Sequence, residues 1–250
     1  MDQNGQKPEA PEIVVQSRFL RWLDNIWYHY KWHIIIGAFA IFTLVVCLVQ
    51  CSSRKSYDVT VSFAGGAVLN DADQNGICAA MEAVLPEDFG EGETPAVQLV
   101  TYGIYPEDEL LALYSSEKAD GVRVIDDYAY GNAKKQNLDE SNSFSTFIKT
   151  GECSVWFVSP YVYERYEIEK LAVPLSEIFN DATPKGAANA YAVRLGDTAF
   201  YQTYSALYTL PADTLIVLTR PYAIGRASKE AYYGKCLETF LSIVNFDSSK

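Results

Sequence analysis

One stretch of the chain carries oxygen-bearing side chains at alternate positions: Asp71, Asp73 and Asn75, followed by Gly76 and Glu82. This spacing fits the specified positions of a calcium-binding loop, where oxygens ligate the ion, the glycine allows a sharp turn, and the distal carboxylate completes the shell. The alternative is that Asp73 or Asn75 caps a helix, with its neighbours in an Asx turn. The sequence therefore offers Ca²⁺ as a candidate cofactor, and the helix cap as the other interpretation.

Histidine is missing from most of the chain. His29 and His33 are its two histidines, so residues 52–250 contain none. This excludes Ser-His-Asp and Cys-His catalysis and HExxH zinc chemistry from that region. Glycoside hydrolysis by two carboxylates needs no imidazole and stays open, although no spacing singles out an acidic pair. We expect a protein without catalytic residues, with a carboxylate-dependent cell-wall glycosidase as one alternative.

Charge limits the partners of residues 52–250. This region has 16 basic and 28 acidic residues. Such an acidic excess repels nucleic acid and anionic lipid, so we expect neither as a partner of this domain. Solubility at a cell surface accounts for the same charge, so composition does not select a ligand.

The cysteines of this region do not form a recognisable framework. Cys78, Cys153 and Cys236 are far apart in the sequence, and no C-x-x-C pair occurs. The spacing indicates neither a disulfide scaffold nor a thiolate metal site. We expect three free thiols, with one bridge and an odd thiol as the alternative.

An apolar run separates the first 33 residues from the rest of the chain. Residues 34–50 carry no charge over 17 positions. As a helix they would span roughly 26 Å, close to the ~30 Å hydrocarbon core of a bilayer. Aromatic residues that suit the headgroup level crowd the approach to this run: Trp22, Trp27, Tyr28, Tyr30 and Trp32. The pattern predicts one membrane-spanning helix over residues 34–51, preceded by an interfacial amphipathic segment over 18–33.

The orientation of this helix follows from the basic residues beside it. Three precede it and two follow: Arg18, Arg21 and Lys31, then Arg54 and Lys55. This favours a cytoplasmic tail over residues 1–17, a linker over 52–56 and an extracytoplasmic domain over 57–250 of a single-pass cell-membrane protein. The 33 residues before the run are long for a signal peptide, and Gln50 stands where a lipoprotein box before Cys51 has a small residue. We therefore expect an uncleaved anchor.

Residues 57–250 alternate between strand-like and helix-like segments, which is typical of an α/β domain. A polar loop is expected over 126–142, and the pair 190–194 and 198–208 reads as a hairpin around Gly196 and Asp197. The predicted strands are 57–63, 96–102, 121–125, 153–158, 190–194, 198–208 and 214–219. The predicted helices are 76–85, 106–114, 143–150, 174–179 and 229–246.

Several of these segments resemble the units of type 2 solute-binding proteins. They are YDVTVSFAGG, PAVQLVTYGI, SFSTFIKTGECSVWFVSP, LAVPLSEIF and TLIVLTRP. The chain is also similar to single-pass, membrane-anchored proteins of Gram-positive anaerobes that carry such a domain outside. The resemblance implies a mixed-sheet domain like that of periplasmic binding proteins, which can have two lobes. It also implies a non-catalytic ligand-binding or sensory role.

In such a fold, ligands lie outside the carboxyl ends of the strands. The residues there are Gly65, Gly66, Tyr102, Ser159, Tyr161 and Arg220. Glycines would let backbone N–H groups approach a small molecule or peptide, Arg220 could pair with a carboxylate, and the tyrosines could stack. Turn glycines, an exposed arginine and packed tyrosines are the ordinary alternatives. An envelope protein-protein interaction or assembly module without a small ligand is the other expected function.

Overall fold

The structure is a computed structural model, which describes residues 18–52, 57–90, 94–117, 123–221 and 224–247. The chain divides into two units, Met1–Lys55 and Ser56–Lys250. The predicted tail 1–17 and residues 53–56 of the predicted linker lie outside the described residues. The first unit contains one described helix, and the second contains the sheet.

Helix α1 runs from Arg18 to Ser52 without a break. Its stretch Ile26–Gln50 has a mean hydropathy of 2.5, and it is long and apolar enough to cross a membrane. The hydroxyl of Thr43 donates to the Phe39 carbonyl at 2.9 Å, so this polar side chain is satisfied within the helix. The predicted interfacial segment 18–33 is thus the first part of the same helix.

Within its described residues, the second unit contains seven short strands and seven further helices. The strands are β1 (Val59–Gly65), β2 (Val97–Gly103), β3 (Ser115–Glu117), β4 (Arg123–Ile125), β5 (Val155–Val158), β6 (Ala192–Arg194) and β7 (Leu215–Leu218). The helices are α2 (Asp71–Glu82), α3 (Glu107–Leu113), α4 (Asp127–Thr150), α5 (Pro160–Arg165), α6 (Leu175–Ile178), α7 (Ala199–Thr203) and α8 (Glu230–Val244). Short 3-10 turns lie at Ile168–Lys170, Leu195–Asp197, Ser205–Thr209 and Arg226–Ser228.

Five strands form a mixed sheet in the order β2-β1-β5-β7-β6. Strand β1 is parallel to both neighbours, with Val61 aligned to Leu99 on one side and to Val155 on the other. Strand β7 is antiparallel to β5 and to β6. Strands β3 and β4 form a separate antiparallel pair. The predicted α/β class with a mixed sheet is confirmed.

Apolar layers cover both faces of this sheet. On one face Phe63 and Phe157 pack with residues of α2 and α8, such as Met81 and Phe240. On the other face Trp156 packs with residues of α4 and α5, including Phe144 and Val162. Consecutive side chains of a strand point to opposite faces, so a strand buried on both faces is apolar throughout. Strand β5 shows this pattern, as its sequence predicts.

The predicted loop over 126–142 is wrong, because α4 continues through it to Thr150. The Asp126 side chain caps this helix by accepting a hydrogen bond from the Ala129 N–H at 3.0 Å. Gly151, with φ of 63°, ends it in a left-handed conformation. A helix with one buried stripe and an otherwise solvated surface looks polar in sequence, which is why the segment resembles a loop.

The predicted strand over 198–208 is also wrong, because α7 and a 3-10 turn occupy it. The Thr198 hydroxyl accepts from the Tyr201 N–H at 3.1 Å and starts the helix. Phe200 and Leu207 are then buried against the core. Strands β6 and β7 do pair antiparallel, but through this helical connection and not through a tight turn at Gly196 and Asp197.

The two lobes that the resemblance allows are not separated here. Residues Ser56–Lys250 form one unit around the five-stranded sheet. Both apolar layers belong to that sheet, so a single core spans the unit.

Candidate functional site

Three strands end together at one edge of the sheet, which we call the carboxyl edge. Strands β1, β2 and β5 are mutually parallel, so their carboxyl ends coincide. Just beyond them, the Ile104 N–H donates to the Gly65 carbonyl at 3.1 Å, and the Ser159 N–H donates to the Ala64 carbonyl at 2.9 Å. From β1 the chain leads to α2 on one face, and from β5 to α5 on the other. This is the switch point at which open α/β sheets bind ligands.

The structure brings three of the predicted site residues together at this edge. A Cβ atom on Gly65 would lie 3.1 Å from the Ser159 Cβ atom, and one on Gly66 would lie 2.9 Å from the Tyr105 ring. Both glycines are therefore needed for close packing. The Ser159 hydroxyl accepts from the Val162 N–H at 3.2 Å and caps α5. These residues shape the edge, and Tyr105 covers it.

A cavity of about 470 Å³, which we call the cleft, opens between α3, α4 and α5. Tyr161 is the predicted site residue that lines it. The other lining residues are Tyr105, Glu107, Leu110, Gly131, Lys134, Lys135, Asn137, Leu138, Ser141 and Arg165. Apolar side chains, two tyrosines and several charged groups thus meet in one concave surface, as in ligand sites.

Tyr105 and Asn137 hold one wall of the cleft. The Tyr105 N–H donates to Asn137 Oδ1 at 2.9 Å, and Asn137 Nδ2 donates to the Tyr105 carbonyl at 3.0 Å. This pair of hydrogen bonds ties the segment after β2 to α4. Tyr105, Leu110 and Asn137 also line a second cavity of about 240 Å³, so they separate the two. The wall is fixed because the Asn137 side-chain amide bonds to both the N–H and the carbonyl of Tyr105.

The cleft carries more positive than negative charge. Lys134 forms an ion pair with Glu107, and this hydrogen bond lowers the pKa of the Glu107 carboxyl. Arg165 donates to the Tyr161 hydroxyl, and its guanidinium lies 5.6 Å from that ring's centroid. Within the described part of the chain, neither Lys135 nor Arg165 forms an ion pair. Lys135 and Arg165 therefore give the cleft positive charge, although residues 52–250 have more acidic than basic residues.

Tyr102 belongs to the core and not to the cleft. Its ring lies 5.2 Å from that of Phe144 and 5.4 Å from that of Phe147, between centroids. Burial raises the pKa of the Tyr102 hydroxyl to about 12. Of the two tyrosines in the predicted site, Tyr161 lines the cleft and Tyr102 does not, while Tyr105 also lines it.

Arg220 lies at the opposite edge of the sheet. It follows β7, which is antiparallel to β5, so the end of β7 lies beside the start of β5. The Arg220 N–H donates to the Leu171 carbonyl at 2.8 Å, and its guanidinium donates to Glu177 at 2.7 Å. The prediction placed Arg220 with the other site residues because it follows a strand, without taking the direction of that strand into account. The antiparallel β7 separates Arg220 from the other site residues.

The predicted calcium loop is not formed, because α2 begins at Asp71. Asn70 Oδ1 accepts from the Asp73 N–H, and Asp73 Oδ2 accepts from the Asn70 N–H, each at 3.0 Å. The Glu82 carboxylate accepts from the Val97 N–H at 2.9 Å, at the other end of the helix. Asp71 and Glu82 are thus separated by roughly 16 Å of helix axis. Asp71, Asp73, Asn75 and Glu82 lie along one helix and do not converge. The segment is a helix start, as the alternative interpretation has it, but its cap is Asn70 and not Asp73 or Asn75.

Replacing Asn70 with alanine should lower the free energy of unfolding by about 1 kcal/mol, because the cap of α2 is lost. Replacing Asn75 with alanine should be neutral or slightly stabilising, because Asn75 is exposed within the helix and alanine is the better helix former. Urea unfolding of the full chain in detergent micelles, with and without Ca²⁺, would measure both. A calcium-dependent loss of stability in Asn75→Ala would contradict the helix and restore the loop.

Cys78, Cys153 and Cys236 are free thiols in this structure. Burial raises the pKa of Cys153 to about 12 and that of Cys236 to about 11. It likewise raises the pKa of the Tyr232 hydroxyl, which accepts from the Thr60 N–H at 3.0 Å, to about 12. These groups stay protonated and act as packing atoms. They are not activated nucleophiles.

These buried thiols predict a loss of stability in alkali. The unfolded chain releases each thiol proton near its ordinary pKa of about 8.5, whereas the folded chain retains it to higher pH. The stability that these two thiols contribute is therefore complete below their ordinary pKa. It falls as the pH rises from there towards their pKa values in the folded chain, about 12 for Cys153 and about 11 for Cys236. We expect a decline of on the order of 1–2 kcal/mol per pH unit above pH 9. Cys236→Ala should show a shallower decline in urea unfolding, and identical slopes would contradict the assignment.

Sequence reasoning missed most of the residues that line the cleft. Lys134, Lys135 and Asn137 lie on α4, in the segment interpreted as a loop. The available signal was Asp126 as a cap, followed by 24 residues without proline and with one glycine. Comparison of the chain with protein-family models, with curated proteins and with solved structures gives no match. The functional argument therefore rests on the geometry of the cleft.

Proposed function

We propose that residues 57–250 form a non-catalytic ligand-binding or sensory domain of solute-binding type, held outside the cell by α1. The observation that carries this proposal is the cleft of about 470 Å³ at the carboxyl edge of the parallel strands. Sites for small molecules have volumes of roughly 300–1,000 Å³ and favour such switch points. The cleft fits a small molecule or the end of a peptide.

The charge of the cleft favours an anionic ligand. Lys135 and Arg165 are exposed and form no ion pair within the described residues. A guanidinium binds a carboxylate or phosphate through two parallel hydrogen bonds, which gives orientation as well as affinity. The Tyr105 and Tyr161 rings offer apolar surface for the rest of the ligand. We infer a small acid or a peptide carboxylate as the ligand class.

The single carboxylate described at the cleft favours ligand binding over hydrolysis. A glycosidase needs two carboxyl groups on opposite sides of the bond that it cleaves, one of them protonated as the acid. Of the residues described at the cleft, Glu107 is the one carboxylate. Its pKa is lowered by Lys134, so it stays ionised and is a poor proton donor.

The orientation of the domain rests on the residues beside the uncharged stretch 34–50 of α1. Exposed tryptophans and tyrosines precede that stretch, as in an interfacial belt. Basic residues are more numerous before it than after it. Labelling of intact cells with a membrane-impermeant amine reagent should therefore modify Lys185, which is exposed. Labelling only after lysis would place the domain in the cytoplasm.

A second candidate function is assembly with another envelope protein. Val68 and Leu113 are 87% and 62% exposed, and both line the second cavity, on the other side of Tyr105 from the cleft. Tyr114 and Ile125 add further exposed apolar surface beside it. Apolar side chains gathered in this way mark interaction surfaces more often than scattered ones do. This candidate requires no small ligand.

A thermal-unfolding screen of the full chain in detergent micelles tests the ligand. The panel comprises dicarboxylic acids, amino acids, short peptides and neutral sugars. A ligand at 100 times its dissociation constant should stabilise the domain by about 2.7 kcal/mol, or roughly 5–10 °C. We expect acids and peptides to raise the midpoint and neutral sugars to leave it unchanged.

Variants connect that response to the cleft. Lys135→Gln with Arg165→Gln should abolish the shift, while Lys149→Gln, an exposed lysine on the same helix but outside the cleft, should retain it. A shift that survives in the double variant would exclude this cleft as the site. A flat response to the whole panel would favour the assembly module.

A further inference from the structure

A third concave site lies at the opposite end of β1 from the cleft. It is a cavity of about 230 Å³ between the segment that enters β1 and the first turns of α8. We call it the basic pocket. Its lining residues are Tyr57, Asp58, Arg226, Lys229, Ala231, Tyr232 and Lys235. Three of these seven residues are cationic, in a region where acidic residues outnumber basic ones by 28 to 16.

The single carboxylate of the basic pocket is engaged by the protein itself. Asp58 accepts from Lys235 Nζ at 3.0 Å and from the Ala96 N–H at 3.0 Å. Its side chain is only 12% exposed, so little of its charge faces solvent. Arg226 and Lys229 form no ion pair within the described residues. The pocket therefore presents a net positive charge to whatever enters it.

Arg226 is fixed in position before any ligand arrives. Its Nη2 atom donates to the Tyr57 carbonyl at 2.6 Å, and its guanidinium lies 4.4 Å from the centroid of the Tyr232 ring. The Tyr232 hydroxyl is in turn held by the Thr60 N–H at 3.0 Å. A guanidinium has five N–H donors in a rigid plane, so one anchored in this way keeps donors for an anion. Such preorganisation lowers the entropic cost of binding.

The basic pocket is close in sequence to the end of α1. Tyr57 lines the pocket and follows Ser52, the last residue of α1, by five residues. Five extended residues reach about 18 Å at most. Where α1 spans a bilayer, this range includes the phosphate level of the headgroups. A phosphate-bearing ligand is thus present at high local concentration within reach of the pocket.

The acidic charge of the rest of the domain does not prevent this contact. Exposed charges more than about 8–10 Å apart are largely screened at physiological ionic strength. The net negative charge opposes adsorption of the acidic surfaces to an anionic membrane, but it leaves the positive pocket attractive at short range. Charge therefore selects one face of the domain for contact with anionic lipid.

We propose that the basic pocket binds the phosphodiester of an anionic phospholipid headgroup, with Arg226 and Lys229 as its main charged contacts. This site is separate from the cleft and does not depend on a ligand there. It does depend on α1 lying in a bilayer. The headgroup, and not free phosphate, is the ligand, because the chain keeps the pocket within reach of the membrane surface.

The test uses the full chain in nanodiscs of phosphatidylcholine with increasing fractions of phosphatidylglycerol. Hydrogen–deuterium exchange of peptides covering 226–235 is the readout. We expect slower exchange there as the phosphatidylglycerol fraction rises. Each basic residue near an anionic surface contributes roughly a fivefold change in binding. Lys229→Gln should therefore raise the fraction giving half the effect about fivefold, and Arg226→Gln with Lys229→Gln should abolish it.

The controls separate this site from general charge and from soluble phosphate. The double variant Lys149→Gln with Lys185→Gln removes two positive charges, as Arg226→Gln with Lys229→Gln does, but from exposed positions outside the pocket. Its hydrogen–deuterium exchange should respond to phosphatidylglycerol as that of the wild type does. Lys229 is exposed, so its single variant tests the site even if the loss of Arg226 disturbs the fold. Equal responses in wild type and Lys229→Gln would overturn the proposal. Full protection by inorganic phosphate in phosphatidylcholine discs would overturn the assignment to lipid.

Discussion

Replacing Gly225 with alanine should destabilise the domain by about 3–5 kcal/mol, because two penalties act together. Gly225 has φ of 101° and ψ of 179°, a region that residues with a Cβ atom rarely adopt. A Cβ atom there would also lie 1.9 Å from the Thr150 carbonyl oxygen and 2.7 Å from that of Gly151. Both clashes involve backbone atoms, so no side-chain rotation can relieve them.

Another glycine, in α8, provides a matched control. Gly234 lies in the middle of α8, and a Cβ atom there would meet nothing within 4 Å. Gly234→Ala should therefore stabilise the domain by roughly 0.5–1 kcal/mol, through helix propensity alone. Urea unfolding of both variants in detergent would show shifts of opposite sign. Similar midpoints for the two would contradict the close approach of Gly225 to the end of α4.

Trp156→Ala should cost about 3–5 kcal/mol, because it empties the centre of one core layer. Trp156 lies on β5, between β1 and β7, and is 1% exposed. Its ring lies 5.9 Å from that of Phe144, between centroids, and its Nε1 donates to the Cys153 carbonyl at 3.2 Å. Alanine would lose the buried ring and leave that carbonyl without its indole donor. The thermal midpoint should fall by roughly 10 °C.

Two further variants test this interpretation of Trp156. Trp156→Phe keeps most of the apolar volume and should lose less stability than Trp156→Ala. Tyr128→Ala removes an aromatic ring that is 82% exposed on α4 and should change stability by no more than about 0.5 kcal/mol. Equal losses for Trp156→Ala and Tyr128→Ala would mean that the β5 face is not the core described here.

Strand positions were largely predictable because their signal is local. Strands β1, β2, β5 and β7 are short apolar or alternating runs bounded by glycine, proline or polar residues. Helix α8 likewise shows its buried stripe, which includes Tyr232, Cys236, Phe240 and Ile243, at helical spacing. Burial on two faces of β5 follows from its uninterrupted apolar sequence.

The predictions for the α4 and α7 segments are wrong for different physical reasons. Helix α4 was interpreted as a loop because its polar and charged residues stabilise a solvated helix as readily as a loop. Helix α7 was interpreted as a strand because its aromatic and β-branched residues favour strands in isolation. There the Thr198 cap and the burial of Phe200 decide the conformation. Neither effect can be deduced from local propensity alone.

Site residues were predictable only as far as strand direction was known. Gly65, Gly66 and Ser159 follow parallel strands and lie at the carboxyl edge, and Tyr161 lines the cleft. Arg220 follows an antiparallel strand and is carried to the other edge. Strand direction is set by pairing between distant segments, which one sequence does not reveal. The cations of the cleft come from α4 and α5, and their convergence depends on tertiary packing.

The connection into β1 has a mechanical consequence. This strand begins seven residues after the end of α1 and is paired on both sides, along seven residue pairs with β2 and four with β5. Tension transmitted through that connection would pull β1 along its own axis. The hydrogen bonds from β1 to β2 and β5 would then have to break together and not one after another. Resistance to such tension is set by the unfolding rate and not by equilibrium stability. A domain attached through an interior strand of its sheet, here β1 between β2 and β5, can thus keep its fold under tension along that connection.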